Sequence, residues 1–274
     1  MNPFHHQHVL TGPADVRPAE ADAAQFQTAP AGAPSLRVHW VRHLSELREV
    51  QRLRHEVFAQ EMGAKLKTPL AGHDVDLFDD FCEHLLVRDE RSQQVVGTYR
   101  LLTPVQAKRV GSCYADLEFD LTRLRSMREH MVELGRSCVH PEHRHGGVIM
   151  ALWGALAQFM QSNDLRWMMG CATIAMNSAG AAYGHEAASI WRHAYDRHAA
   201  PIEHRVRPRL ALPLDSLDQN LQVDPPPLIK GYLRLGAKIL GEPAWDPDFD
   251  AADLPMLLNL NDIPARYRKH LLGQ

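Results

Sequence analysis

The segment ELGRSCVHPEHRHGGVIMALWGALAQFM, residues 133–160, constrains the fold of this chain more than any other. Its first part alternates in the way of a β-strand, and its last part is apolar enough for a buried helix. A strand, a short turn and a helix in this order indicate a helix that packs on a sheet. The predicted strand nevertheless carries the charged residues Glu133 and Arg136, which are unusual in a core element and are therefore candidates for function.

Gly135 lies inside this predicted strand, between the two charged residues. A glycine weakens a strand and often marks a bulge or the close approach of another molecule. A bulge leaves backbone N–H groups unpaired, and such groups can bind a carbonyl oxygen of a ligand. Alternation would place Arg136 on the face of Leu134 and Cys138, and Glu133 on the opposite face.

The turn HPEHRHGG, residues 140–147, has the composition of a phosphate site at a helix entrance. Gly146 and Gly147 remove side-chain bulk, Arg144 adds a positive charge, and the first N–H groups of a helix attract anions. The alternative is that the glycines only permit a tight turn, and these residues alone do not decide between the two. The three histidines of the turn lack a fourth ligand at a usual spacing, so we expect no metal site here.

Three other segments group charged residues with apolar ones. In LRHEVFAQEMG, Arg54 and Phe58 are four residues apart and share a helix face, although a solvated charged face gives the same pattern. The aspartate spacing of DVDLFDDFCEHLL does not fit a calcium-binding loop, which leaves an acidic loop that could receive a cationic substrate. The strand pattern VVGTYRLL is apolar except for Arg100 at its centre.

The composition excludes several classes of protein. The chain has 274 residues, of which 45% are hydrophobic and 23% charged, as is typical of a soluble globular protein. The formal net charge of −3 provides no overall attraction for nucleic acid, so we expect no such partner. The longest apolar run is too short to span a bilayer, and the N-terminus lacks the pattern of a secretory signal. We therefore expect a cytoplasmic protein.

The chain divides into an arm and a domain. Residues 1–34 are rich in Ala, Pro, Gln and His without periodicity, so we expect a disordered or loosely packed N-terminal arm. Residues 35–274 are predicted to form a single domain whose first helix is capped by Ser45. Its predicted strands first pair as hairpins and then alternate with helices, which indicates an α+β fold with a mixed central sheet flanked by helices. Residues 103–130 carry no distinctive pattern.

Taken together, these motifs resemble a known family pattern. The succession of LRHEVF, DVDLFDDF, VVGTYRLL and ELGRSCV is similar to the acyl-carrier-protein-dependent members of the GNAT acyltransferase superfamily. Acyl-homoserine-lactone synthases share this skeleton. The L-ornithine Nα-acyltransferases resemble the chain more closely, through ELGRSCVHPEHR, MGCATI and PPLIKGYLRLGAKILGEPAWDPDF. The resemblance extends from about Leu44 to Leu271 and implies a GNAT fold.

The resemblance also implies a reaction. A fatty acyl chain, such as a 3-hydroxyacyl chain, would pass from acyl-carrier protein to the α-amine of L-ornithine, in the first step of ornithine lipid biosynthesis. Amide formation needs a base for the ammonium, and Glu133 and Glu56 are the candidates, since burial raises a carboxyl pKa toward neutrality. Backbone N–H groups beside Gly135 would stabilise the oxyanion, with Arg136 next to them in the catalytic centre.

Further residues are expected to bind the substrate. Arg54, Arg100 or Arg136 would bind the substrate carboxylate through two parallel hydrogen bonds. Asp76 and Asp79 would bind the second ammonium group of ornithine. For each charged residue the alternative is an internal ion pair that only shapes the site. This alternative applies most strongly to the pair Glu133 and Arg136. The expected substrate-binding residues are Arg54, Phe58, Asp76, Asp79 and Arg100.

The donor site is assigned to the turn before the predicted helix. Arg144, Gly146 and Gly147 would bind the phosphate of a phosphopantetheine arm. Ile149 stands where the coenzyme A loop of the superfamily has a small residue, and a weakened loop suits the single phosphate of a carrier-protein arm better than free coenzyme A. We expect no metal and no cofactor other than the acyl-phosphopantetheine of acyl-carrier protein.

The sequence leaves partners and alternatives open. The basic segment 192–209 contains five arginines and is predicted to attract acidic acyl-carrier protein, although anionic lipid at the inner membrane surface or a merely solvated face would also account for it. Alternative functions are acyl-homoserine-lactone synthesis, acylation of another amino acid, and a non-catalytic regulator that binds acyl-carrier protein or lipid. The longer C-terminal half argues against the lactone synthases, and the retained charged residues argue against the regulator.

Overall fold

The computed structural model describes residues 35–177 and 180–272, so the predicted N-terminal arm, residues 1–34, lies outside the described residues. The strands of the described part are β1 (Leu36–Trp40), β2 (Glu83–Asp89), β3 (Val95–Leu102), β4 (Phe119–Asp120), β5 (Met131–Val139), β6 (Trp167–Ala175), β7 (Arg207–Pro208), β8 (Lys238–Ile239), β9 (Ala244–Asp246) and β10 (Ala251–Asn259). Its α-helices are α1 (Leu44–His55), α2 (Pro104–Val110), α3 (Gly147–Ser162), α4 (His185–His198), α5 (Pro227–Arg234) and α6 (Ala265–Leu272).

Most of the strands form one sheet in the order β1–β2–β3–β5–β6–β10–β8, in which β9 also pairs with β10. Neighbouring strands run antiparallel except β5 and β6, which run parallel. The short strands β4 and β7 form a separate antiparallel pair. A mixed sheet flanked by helices confirms the predicted α+β class.

Helices α1 and α3 cover opposite faces of the sheet. In β2, Leu85 and Val87 belong to the core under α3, whereas Leu86 between them belongs to the core under α1. Because both faces are covered, every residue of β3 is buried, including Arg100. A buried guanidinium must find its partners inside the protein, which explains the ion pairs described below.

Helix α1 begins differently from the prediction. Its N-cap is His43, and the carboxylate of Glu46 accepts the backbone N–H groups of the two residues before the helix at 2.9 and 3.3 Å. Ser45 is the second helical residue, so its predicted capping role is wrong. The helix continues as a wider π-helical turn, Glu56–Glu61, and the chain then leaves it through Gly63 at a left-handed φ of 78°.

Residues 103–130 are ordered although their sequence carries no distinctive pattern. They contain α2 and two 3-10 segments, Tyr114–Leu117 and Thr122–His130. Phe119, Leu121 and Leu124 lie in a second, smaller core there. This core places the first 3-10 segment beside β5.

Strands β5 and β6 pair only over the first three residues of each strand. Their register joins residues 131–133 to residues 167–169 and continues no further. A Cβ atom on Gly170 would lie 2.5 Å from the backbone carbonyl oxygen of Leu134, so the close approach at this point depends on a glycine. Beyond it the two strands part and leave a cleft in the sheet.

Candidate active site

A cavity of about 550 Å³ opens where β5 and β6 part. Polar groups of β5 form part of its wall, and apolar side chains from α3, α5 and β10 form much of the remainder. Trp153, Leu156, Tyr232, Met256 and Leu258 belong to the apolar part. A cavity of this size and lining can hold a small polar molecule beside β5 together with an alkyl chain.

A β-bulge in β5 forms part of this wall. Cys138 pairs with Thr98, and Gly135 pairs with Arg100, so β5 has one more residue between these pairs than β3. Arg136, within the bulge, has a left-handed φ of 49°. The bulge predicted from Gly135 is confirmed, but the residue with the unusual backbone is the arginine that follows. The predicted alternation of side chains therefore breaks at Arg136.

Glu133 lies at the point where the cleft begins and is 6% exposed. Its two carboxylate oxygens accept the backbone N–H groups of Tyr114 and Ala115, each at 2.6 Å. Burial outweighs these hydrogen bonds and raises the pKa of Glu133 to about 7. A carboxyl with a pKa near neutrality can take up and release a proton at pH 7, as a base for an ammonium must. The catalytic role of Glu133 stays a prediction, and the geometry permits it.

Arg54 and Asp79 form a hydrogen-bonded ion pair, and neither residue lines the cavity. Arg54 is fully buried and donates from Nε to Asp74 at 2.7 Å and from Nη1 and Nη2 to Asp79 at 2.9 and 3.2 Å. Asp79 also accepts hydrogen bonds from Gln51 at 2.9 Å and Arg100 at 2.8 Å. Burial alone would raise the pKa of Asp79, but Arg54 and Arg100 outweigh it and hold the pKa well below its usual range. Neither residue lines the cavity, and their polar atoms bond within the protein, so the predicted binding of substrate by Arg54 and Asp79 stays a prediction that this geometry does not support.

Asp76 is shared by two arginines. It accepts hydrogen bonds from Arg100 at 2.6 Å and from Arg136 at 3.2 Å. Burial alone would raise the pKa of Asp76, but these two guanidinium groups outweigh it and lower the pKa. A carboxylate between two guanidinium groups attracts a substrate ammonium less than a free one would, so the predicted role of Asp76 stays a prediction that this geometry does not favour.

The ion pairs close into a ring of three arginines and three aspartates, which we call the ion ring. Arg136 completes it by donating to Asp74 at 3.1 Å as well as to Asp76. Each aspartate bridges two arginines, so the charges of the ring balance. Its order is Asp74, Arg54, Asp79, Arg100, Asp76 and Arg136.

Arg100 and Arg136 are the two arginines of the ion ring that line the cavity. The guanidinium of Arg136 lies between the rings of Tyr114 and Phe249, 4.9 and 5.2 Å from their centroids. That of Arg100 lies 5.5 Å from the centroid of Tyr114. The rings and the aspartates hold both guanidinium groups in place, and their predicted binding of a substrate carboxylate stays a prediction.

Glu56 and Phe58 both lie on the π-helical turn after α1. Glu56 is exposed and does not line the cavity, so its predicted role as an alternative base stays a prediction that this geometry does not support. Phe58 is buried, lines the cavity and packs edge-on against Phe249, with 5.8 Å between the ring centroids. Of the two predicted bases, Glu133 alone therefore faces the cavity.

The turn before α3 reaches the same cavity. Gly146 is the N-cap of α3 at a left-handed φ of 99°, so the tight turn itself requires it. Arg144 donates to both oxygens of Glu61 at 2.5 and 2.7 Å and to the carbonyl oxygen of Val139 at 3.0 Å. Arg144 and Gly146 line the cavity, whereas Gly147 does not. The predicted phosphate site stays a prediction, in which Arg144 would have to exchange Glu61 for the phosphate.

The sequence analysis did not predict a group of three acidic residues in the cavity wall. The carboxylates of Glu118, Asp246 and Asp253, which we call the acid triad, have oxygens within 4.8 Å of one another. Burial raises the pKa of Glu118 to about 8 and that of Asp253 to about 6. The three come from separate elements, so no motif unites them. The available signal was Asp253, an acidic residue inside the apolar strand AADLPMLLN.

Comparison with known proteins first identifies the class of protein to which this fold belongs. A model of the acetyltransferase (GNAT) domain family matches residues 53–154, which include β2, β3 and β5. The acyl-homoserine-lactone synthase LasI superposes with a TM-score of 0.52 at 14% identity, over 88% of this chain and 96% of LasI. The coenzyme A-dependent synthase BjaI superposes with a TM-score of 0.51 at 18% identity, over 86% and 87% of the two chains. The protein therefore has the fold of GNAT acyltransferases, as predicted.

Relatives of higher identity define the family. The L-ornithine N(alpha)-acyltransferase of Rhodobacter capsulatus is 35% identical over 261 residues, which cover 87% of this chain and 96% of the relative. Proteins of the same name from Brucella abortus and Rhizobium meliloti are 34% and 32% identical and cover 85% of this chain each, and 87% and 83% of the relatives. The chain belongs to the L-ornithine N(alpha)-acyltransferase family, which confirms the resemblance seen in its sequence.

Proposed function

We propose that the protein transfers a fatty acyl group from acyl-carrier protein to the α-amine of L-ornithine, giving lyso-ornithine lipid. The observation that carries the proposal is one cavity that joins Glu133 and the bulge of β5 to apolar side chains of α3, α5 and β10. Such a cavity offers a base and space for an alkyl chain at the same place. Membership in the family supports ornithine as the acceptor.

In this reaction a C–N bond forms at the thioester carbonyl carbon and the C–S bond breaks. Glu133, directly or through a water molecule, takes a proton from the α-ammonium so that the neutral amine can attack. Backbone N–H groups at the bulge beside Gly135 stabilise the oxyanion, an effect of about 2.7–4 kcal/mol per donor in other enzymes. Collapse of the tetrahedral intermediate expels the phosphopantetheine thiolate, which takes up the proton lost by the amide nitrogen.

Arg136 and Arg100 position the acceptor. Arg136 is held between two aromatic rings and bonded to Asp74 and Asp76, so its planar guanidinium keeps a fixed orientation in the cavity wall. A fixed guanidinium can bind the α-carboxylate through two parallel hydrogen bonds. This contact would hold the α-amine near Glu133.

The donor in this scheme is an acyl-phosphopantetheine arm. Arg144 and Gly146 lie in the cavity wall, where they could meet the phosphate of the arm. Ile149, one turn into α3, also lines the cavity and occupies space that a small residue would leave to a pyrophosphate. The position of Ile149 supports acyl-carrier protein over free coenzyme A, and the scheme uses no further cofactor.

The basic segment 192–209 is the proposed contact for acyl-carrier protein. Arg205 packs over the ring of Tyr195 at 5.6 Å, whereas Arg207 is exposed and free to meet an acidic surface. Within residues 35–177 and 180–272 no helix combines the length and apolar character needed to cross a bilayer. The contact proposed with the inner membrane is accordingly peripheral. Arg207→Glu should raise the KM for carrier protein, while weaker binding to anionic vesicles with unchanged kinetics would assign the segment to lipid.

One alternative has a specific observation behind it. The fold is shared with LasI and BjaI, which favours acyl-homoserine-lactone synthesis as the second candidate.

A product assay separates the two candidates. Purified protein is incubated with fatty acyl and 3-hydroxyacyl thioesters of carrier protein or coenzyme A, together with L-ornithine, other amino acids or S-adenosylmethionine. We expect Nα-acylornithine by mass spectrometry, with a much higher kcat/KM for carrier-protein thioesters. Lactone as the main product, or no acyl transfer to any amine, would refute the proposed function, and equal kcat/KM for both donors would refute the donor assignment.

A further inference from the structure

The acid triad differs from the aspartates of the ion ring in having no hydrogen-bonded basic partner among the described residues. Asp246 accepts only backbone N–H groups, from Asp248 at 2.8 Å and Phe249 at 3.1 Å. Asp253 accepts the hydroxyl group of Thr173 at 2.8 Å through one of its two oxygens. These neutral donors bring no positive charge to the triad.

One member of the triad is also short of a hydrogen-bond donor. The Oε2 atom of Glu118 is buried and has no hydrogen-bond partner in the described part of the chain. Asp253 is only 5% exposed, and its bond from Thr173 involves Oδ1 alone. Buried carboxylate oxygens are normally satisfied, because an unpaired one costs free energy. The missing donor at Glu118 therefore points to a ligand that supplies it.

In the ion ring, arginines neutralise the buried aspartates of this site. There, three aspartates face three arginines, and each carboxylate binds two guanidinium groups. The acid triad has the same number of carboxylates and no arginine or lysine bonded to it in the described residues. The aspartates of the ion ring are thus neutralised inside the protein, whereas these three carboxyl groups are available to an external cation.

The triad lies within electrostatic range of the groups assigned to the reaction. Repulsion from Glu133 contributes to the raised pKa of Glu118, and attraction to Arg136 acts on the pKa of Asp253. All of these residues line the same cavity. A bound molecule can therefore meet the base, the guanidinium and the triad at once.

We propose that Glu118, Asp246 and Asp253 form the subsite for the side-chain ammonium of the acceptor, and so select a diamino acid over a neutral one. This inference rests on the proposed function. An ammonium group donates three hydrogen bonds, which matches three converging carboxylates. With the α-carboxylate on Arg136, this contact also determines which of the two amines lies at Glu133. The triad therefore directs acylation to the α-amine.

The occupancy of this subsite depends on pH. Burial, followed by repulsion from Asp253, raises the pKa of Glu118, and burial raises that of Asp253, so the empty triad retains protons at neutral pH. The other charged or titratable groups that act on the triad are Asp246, Glu133 and Arg136, Lys67 near Asp246, and the Cys171 thiol and the Tyr114 hydroxyl group near Glu118. An arriving ammonium favours the ionised carboxylates, so its binding releases protons.

Kinetics with a matched pair of acceptors tests the subsite. Asp253→Asn and Glu118→Gln are compared with wild type on L-ornithine and on L-norvaline, which has the same carbon chain without the side-chain amine. We expect kcat/KM for L-ornithine to fall roughly 10- to 100-fold, mainly through KM, since a hydrogen bond to a charged group is lost. The value for L-norvaline should stay the same or rise. Glu242→Gln, a charge change at an exposed residue just before β9 that does not line the cavity, is the control and should alter neither.

Proton release provides a second readout. Calorimetric titration at pH 7 in two buffers of different ionisation enthalpy should show more protons released by L-ornithine than by L-norvaline, and this difference should vanish in Glu118→Gln. Equal release by the two ligands in wild type would overturn the proposal.

Three kinetic or binding results would also overturn it. An equal loss on both acceptors would show that the triad is only structural, and an unchanged KM for L-ornithine would show that it is not used. Binding of Mg²⁺, Mn²⁺ or Ca²⁺ to wild type that disappears in Asp253→Asn would assign the triad to a metal instead. If wild type fails to acylate L-ornithine, the proposed function falls together with this inference, whereas each of the other results removes the inference alone.

Discussion

Replacing Asp79 by asparagine opens the ion ring that supports the cavity. The carboxylate accepts two hydrogen bonds from Arg54, at 2.9 and 3.2 Å, one from Arg100 at 2.8 Å and one from Gln51 at 2.9 Å. Asparagine has the same shape but carries no charge and only one acceptor oxygen. Arg54, which is fully buried, would then keep Asp74 as its single anionic partner. Removal of one partner from a buried ion pair costs about 3–5 kcal/mol of the free energy of unfolding.

This loss is large enough to measure by thermal denaturation. In a domain of this size about 1 kcal/mol shifts Tm by about 2–4 °C, so Asp79→Asn should lower Tm by about 6–20 °C. Circular dichroism or scanning calorimetry at pH 7 measures the shift. Asp80→Asn is the matched control, because the neighbouring aspartate is exposed and should change Tm by no more than about 2 °C.

The pH dependence gives the sign of the effect. Arg54 and Arg100 hold the pKa of Asp79 below its ordinary value of 3.8, so its contribution to stability is present above that pH and is lost as the pH falls further. The difference in Tm between wild type and Asp79→Asn should therefore shrink in acid. A variant with unchanged Tm and a raised KM for L-ornithine would refute the reasoning, because Asp79 would then contact the substrate and not the ring.

The other predictions concern the two strands of the cleft. The pKa of Glu133 is raised to about 7 and the base must be ionised, so wild-type kcat/KM should rise with pH through 7. Glu133→Gln should remove this rise with pH and lower kcat about 10²- to 10⁴-fold. An unchanged pH profile in the variant would exclude Glu133 as the base. Arg136→Lys should raise the KM for L-ornithine in a folded protein, since lysine cannot form two parallel hydrogen bonds, and an unaltered KM would speak against the carboxylate contact. Gly170→Ala should lower the free energy of unfolding by about 1–3 kcal/mol, because the added Cβ lies 2.5 Å from a backbone oxygen. In Gly147→Ala the nearest neighbour is 3.7 Å away, so chemical denaturation should show no comparable loss.

The local pattern of the sequence was sufficient to predict the elements that build the site. Alternation and apolar periodicity predicted β5 and α3, and Gly135 predicted a bulge in β5, which the structure has directly after it, at Arg136. These features depend on neighbours in the chain, which a sequence displays directly. The class of fold followed from the order of the elements, and the family from motifs distributed along most of the chain.

The partners of the charged residues could not be predicted in the same way. Arg54 has the residue type and helix position of a substrate ligand, but two loop aspartates, Asp74 and Asp79, occupy it completely. Pairing of this kind depends on how the loop folds back on α1, which no spacing reveals. The acid triad was missed for the same reason, since Glu118 and Asp253 come together only when β10 pairs with β6 beside the second core.

The early parting of β5 and β6 leaves the sheet with two internal edges. Past residues 133 and 169 each strand presents backbone amide and carbonyl groups to the cavity instead of to a neighbouring strand. An extended ligand that carries its own amide groups can pair with such an edge as a strand would. A phosphopantetheine arm contains two amides of this kind, so the donor would complete the sheet between its two halves. Donor binding and the cohesion of the folded sheet would then be thermodynamically linked, and the protein would be most resistant to unfolding when it is loaded for reaction.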